Sequence, residues 1–157
     1  MFTILILHYG LAATFACLAL GAVASAMLGL MRRDRAAWWM AHLLALSGSG
    51  IGLVFALAAL SSGITLSAHL PLALGTGPEL LTFVIDPLAA LFIAIICTIT
   101  IAASLFGIGY ADTFVGKYRL GHFGVFYTLF IGSMLLVVAA SNAFLFPFAW
   151  DEMASTS

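Results

Sequence analysis

Residues 4–35 read ILILHYGLAATFACLALGAVASAMLGLMRRDR. The apolar part exceeds the roughly 20 residues that carry a helix across a hydrocarbon core of about 30 Å, and it stops abruptly at Arg32-Arg33-Asp34-Arg35. Backbone groups in lipid have no water to bond to, so such a run satisfies itself as a helix. A cleaved leader does not fit. Met1 to Met31 holds no Lys or Arg and is too long for the apolar region of a signal peptide. The run reads as a first spanning helix that stays.

The rest of the chain agrees. Of 157 residues, 64% are hydrophobic and 7% charged, against about 45–50% and about 25% in ordinary soluble domains. Five basic and six acidic side chains cannot cover a soluble globule of this size. A soluble enzyme, a disordered chain and a nucleic-acid-binding module are excluded, the last also because a net charge of −1 leaves no basic footprint. Cys17 and Cys97 stand apart in apolar runs, too few for a zinc site, and read as small buried side chains.

Outward from the first run, the hydropathy predicts an all-α, polytopic membrane bundle. Its helices cover about residues 4–31, 36–60, 87–111 and 121–140, with the start of a fifth at 142–157. Trp38-Trp39 opens the second helix as an interfacial aromatic anchor. Residues 61–86 carry Ser61-Ser62-Gly63, Pro71, Gly75, Gly77 and Pro78 and read as an outer loop; weak alternation at Ile64–Leu66 and Leu80–Ile85 allows a short hairpin. Asp86-Pro87 supplies an N-cap and a first-turn proline for the third helix. The uncharged stretch Phe123–Trp150 has 28 residues, about 42 Å as one helix, so a break is read at Ser141-Asn142. All five basic residues lie after the first and third helices. The positive-inside rule then puts the N-terminus outside and sends the fifth helix inward.

The chemistry narrows to a few side chains. Counted from Asn142, Asp151 lies roughly 13 Å into the fifth helix, near mid-membrane, with Glu152 beside it. A carboxylate at that depth is costly and by default functional. Burial favours its neutral form and a nearby lysine its charged form, so a group poised between the two takes up and releases protons. The alternative, that both carboxylates belong to a solvated tail, stays open. Asp86 reads as a cap and Glu79 as a loop residue. Of His8, His42, His69 and His122, only His42 and His122 fall at one level, near the cytoplasmic face; a bis-histidine haem also needs both to face one cavity, and interfacial or hydrogen-bonded histidines are the better account. Gly48 and Gly52 form a G-x-x-x-G that lets helices approach.

Four stretches in one order carry a resemblance. They are Gly121-His122-Phe123-Gly124, then Phe130-Ile131-Gly132-Ser133-Met134, then Ser141-Asn142-Ala143-Phe144, then Trp150-Asp151-Glu152-Met153, preceded by Asp86-Pro87-Leu88-Ala89 and Ser104-Leu105-Phe106-Gly107. Together they resemble the N-terminal portion of the large antiporter-like membrane subunit of group 4 hydrogenases, of the hydrogenase-4 and formate hydrogenlyase type. Wider relatives are the proton-channel subunits of respiratory complex I and the Mrp antiporters. The resemblance is good over about residues 80–157 and rests on hydropathy alone before that.

The resemblance implies a membrane-arm subunit of a redox-driven pump in the cell inner membrane, moving protons or sodium, with no cofactor of its own. Its partners would be other membrane and peripheral subunits and lipid, and no nucleic acid. In that family a glutamate follows the tryptophan of the fifth helix and pairs with a lysine on a later helix. Asp151 takes the matching position here, and a slip of one residue gives the role to Glu152; the two point about 100° apart. Ser141 and Asn142 would lie near an outer entrance. Family members continue into lysine-bearing helices that this stretch lacks, so the chain is expected to be the front of a longer subunit and not to pump alone. The competing expectations are a structural or assembly element and a small stand-alone transporter.

Overall fold

The computed structural model describes residues 2–63, 65–70, 81–114, 120–139 and 145–157. It is a helical bundle: α1 (Phe2–Leu30), α2 (Asp34–Ser62), α3 (Pro87–Phe114), α4 (Leu120–Ala139) and α5 (Leu145–Thr156), with strands β1 (Leu66–Leu70) and β2 (Leu81–Ile85) between α2 and α3. Four helices are long and apolar enough to cross a bilayer, over Tyr9–Leu30, Asp34–Ser62, Pro87–Tyr110 and Leu120–Ala139. The chain is a multi-pass membrane protein. The break read at Ser141-Asn142 lies outside the described residues, as do Glu79, Lys117 and Arg119 and the side chains of His8 and His69.

α2 is the centre, packed on α1, α3 and α4. Its buried positions explain why. Ala37, Ala41, Ala45, Gly48, Gly52, Ala56 and Ala59 recur every three or four residues and are buried. Helices in lipid gain no hydrophobic driving force from meeting, so close van der Waals approach through small residues holds them. Large side chains face the other way: Leu20, Val23 and Met27 of α1 and Leu88, Phe92 and Ile99 of α3 are exposed on the outside of the bundle. The G-x-x-x-G acts in packing. A Cβ on Gly48 would come 3.0 Å from Cys17 Cβ of α1, and one on Gly52 2.8 Å from Cys97 Sγ of α3. The two cysteines are free and fill these seams.

α4 meets α1 backbone to backbone. A Cβ on Gly121 would lie 2.6 Å from Gly29 Cα, and one on Gly124 would strike Ser25 Oγ. Gly121 is held on both sides: Ser25 Oγ donates to its carbonyl at 3.1 Å, and its N–H donates to Asp34 Oδ1 at 3.3 Å. The start of α4 is thereby tied to the α1–α2 turn.

The turns follow local chemistry. α1 closes with bonds from Arg33 N–H to the Leu28 carbonyl at 2.9 Å and from Arg32 N–H to the Gly29 carbonyl at 3.1 Å. This pairing turns the chain through a left-handed residue, a position glycine usually takes; here it is Arg32, with φ 56°. Asp86 caps α3, its Oδ1 accepting the Ala89 N–H at 2.6 Å. β1 and β2 pair antiparallel, Leu66 opposite Ile85 and Leu70 opposite Leu81, so the first strand begins where the weak alternation in the sequence ended. The expected tryptophan anchor is corrected in one half. Trp39 is exposed, but Trp38 turns inward and donates its indole N–H to the Gly107 carbonyl of α3 at 2.8 Å. Adjacent helical residues point about 100° apart, so Trp39 faces out of the bundle while Trp38 meets α3.

Two substitutions test this frame by reversible unfolding in mixed micelles. Gly121→Ala overpacks the α1–α4 contact and is expected to cost about 1–3 kcal/mol, while Gly50→Ala, which meets nothing within 4 Å, costs nothing. Arg32→Gly relieves a left-handed residue, roughly 1–2 kcal/mol, against roughly 0.5–1 kcal/mol of added backbone entropy, and is expected to be net stabilising.

Candidate functional site

α5 brings the C-terminal carboxylates to the bundle. Pro147 stands in its first turn, where the missing N–H breaks no helical bond, and the helix runs about 18 Å along α4. Within it the two carboxylates part company. Asp151 is exposed, whereas Glu152 is half-buried and lines an open cleft of about 200 Å³ between α1 and α4.

The cleft lies about midway along α1 and α4. Its α4 wall runs from Thr128 to Leu136 and its α1 wall from Phe15 to Ala19, both central in segments that cross from Leu120 to Ala139 and from Tyr9 to Leu30. Gly132, on that wall, is about 18 Å along the helix from Leu120. The lining is mostly apolar, with two hydroxyls. Thr128 Oγ1 donates to the Gly124 carbonyl at 3.0 Å, and Ser133 Oγ to the Phe130 carbonyl at 2.8 Å. Both hydroxyl protons are thus spent on α4, and toward the cleft these groups present lone pairs. A carboxylate offers only acceptors as well, so a donor such as water is required to join Glu152 to them. Such a cleft can hold a proton-carrying chain of waters beside a carboxylate. Ser141 and Asn142, expected near an entrance, lie outside the described residues.

Asp86 is the cap it was read to be. The histidines separate. His122 is exposed, while His42 is 3% exposed. His42 Nδ1 donates to the Trp38 carbonyl at 2.9 Å, and its ring lies between Trp38 and Tyr127, centroids 4.3 and 4.6 Å away. The Tyr127 hydroxyl bonds Ser104 Oγ at 2.8 Å and donates to the Thr100 carbonyl at 3.4 Å. This polar cluster joins α2, α3 and α4. The sequence carried a signal for it that was read only as an anchor and isolated small residues: Trp38 and His42 four apart on one helix, Ser104 and Gly107 three apart on another.

No family model matches the chain. Over 132 residues it is 29% identical to Hydrogenase-4 component B of Escherichia coli (strain K12), a match that takes in 84% of this chain and 19% of that protein. The chain is thus similar to a hydrogenase-4 membrane component and spans about a fifth of the length of the curated relative it matches.

Proposed function

We propose that the chain is the N-terminal part of an antiporter-like membrane-arm subunit in a hydrogenase or complex I-like assembly of the cell inner membrane, and contributes to proton or sodium translocation. The observation that carries this reading is Glu152 lining a cleft about midway along α1 and α4. The similarity to Hydrogenase-4 component B supports the kind of assembly.

In this mechanism Glu152 is the protonatable group. It exchanges a proton with waters in the cleft, and a cation brought by a neighbouring helix or subunit stabilises its charged form. Asp151, directed to the other side of α5, makes contact with a partner subunit or with lipid headgroups. Ser141 and Asn142 stand at the outer approach. The redox chemistry that drives movement belongs to other subunits, and this chain contributes no redox centre.

The test is proton pumping by the assembled complex in proteoliposomes. Glu152→Gln is expected to lower the pumping rate at least about tenfold, a loss of about 1.4 kcal/mol or more in transition-state stabilisation. Electron transfer should persist, and Asp151→Asn should stay within about twofold of wild type. If a complex carrying both substitutions assembles and pumps as well as wild type, the reading fails, and these helices serve assembly alone.

A further inference from the structure

The turn between α1 and α2 carries a cost that stability does not explain. Arg32 stands at φ 56°, in a position where glycine would suit the backbone better. A side chain kept in a strained conformation points to a use for that side chain. Its neighbours share its charge: Arg32, Arg33 and Arg35 are all exposed. Asp34, the one acid of the turn, is half-buried and directs Oδ1 at the Gly121 N–H of α4. The outer surface of the turn is therefore positive.

Apolar surface begins directly beside it. Leu30 and Met31 are 85% and 69% exposed, an arrangement that is unfavourable in water and costs nothing in hydrocarbon. The first spanning segment ends at Leu30, so the arginines stand where hydrocarbon gives way to headgroups.

On α2 the exposed surface continues inward from the charge. Arg35 and Trp39 are four residues apart, which makes them neighbours on one side of the helix. Trp39 and Leu43 are exposed, as is Val54 further along. Between them the surface is low. Ser47 returns its hydroxyl to the Leu44 carbonyl, and a Cβ on Gly50 would meet nothing within 4 Å. From Trp39 to Val54 this file runs about 22 Å, more than half of a hydrocarbon core of about 30 Å. A basic end joined to an apolar furrow of that length fits an amphiphile with an anionic head. An acidic peptide would have no use for the furrow.

We propose that the Arg32–Arg35 turn and the outer face of α2 bind an anionic phospholipid of the cytoplasmic leaflet. The guanidinium groups of Arg32, Arg33 and Arg35 donate to phosphate and headgroup oxygens. The Trp39 indole lies at the level of the glycerol esters, and an acyl chain follows Leu43, Ser47 and Gly50. The positive-inside rule places this turn in the cytoplasm, and anionic lipids give that leaflet a negative surface potential. The proposal does not rest on Glu152 or on ion translocation.

Tryptophan fluorescence of the full chain in bilayers tests it, with phosphatidylglycerol or phosphatidylcholine brominated on the acyl chains as contact quencher. The Trp39 signal is the part lost in Trp39→Phe. At low salt, brominated phosphatidylglycerol should quench that signal at a mole fraction at least about fivefold below brominated phosphatidylcholine. The preference should fade at about 1 M salt. Replacing Arg32, Arg33 and Arg35 together by glutamine should abolish it, whereas lysine at all three positions should keep it. Arg32→Gly relieves the backbone and so stays folded, yet should lower the preference at least about twofold. Inorganic phosphate in millimolar excess should leave the quenching unchanged. Equal quenching by the two lipids at low salt, a preference that survives the glutamine or the Arg32→Gly substitution, or displacement by inorganic phosphate would overturn the proposal.

Discussion

Everything in this bundle depends on how closely the second helix lets its neighbours approach. In hydrocarbon a leucine on a helix gains nothing by leaving lipid for protein, so the helices are held by contact and by hydrogen bonds. The alanine and glycine file of α2 brings α1, α3 and α4 within reach of its backbone. The Gly29–Gly121 crossing does the same for α1 and α4. Close approach makes the interhelical bonds feasible: Ser25 to Gly121, Trp38 to Gly107 and Tyr127 with Ser104 each cross a seam that larger side chains would have widened.

Most hydroxyls in the spanning helices bond their own helix. Thr14, Thr98, Thr128 and Ser133 each return their proton to a carbonyl three or four residues earlier. This satisfies them without a partner and leaves their lone pairs facing outward. A few groups differ, among them Ser25, which bonds the Gly121 carbonyl of another helix. Ser49 lacks a partner, Ser104 bonds a phenol on another helix, and Glu152 stands in a cleft whose other polar groups have committed their protons. Two polar zones result, on different faces of α4, since Thr128 borders the glutamate cleft while the adjacent Tyr127, about 100° round the helix, stacks on His42.

The aromatic and histidine positions show how far a linear reading reaches. Trp38 and Trp39 look alike in sequence, both beside a basic turn, yet one faces outward and the other becomes a hydrogen-bond donor inside the bundle. The carboxylates Asp151 and Glu152 are equally adjacent, and family resemblance favoured the first by position. The α5 packing turns the second toward α4 and α1. In each pair the deciding quantity is the rotation of a helix about its own axis, which depends on contacts with segments far away in the chain.

By itself the sequence determined the membrane class, the four spans, the cap at Asp86 and the packing role of Gly48 and Gly52. These rest on local causes: runs of apolar residues, a carboxylate before a proline, and small residues at helical spacing. Only the tertiary structure decided which carboxylate lines a cleft, which histidine is buried, and why Gly107 and Gly121 lack side chains. Those outcomes depend on which atoms of distant helices meet, and no pattern within one helix records them.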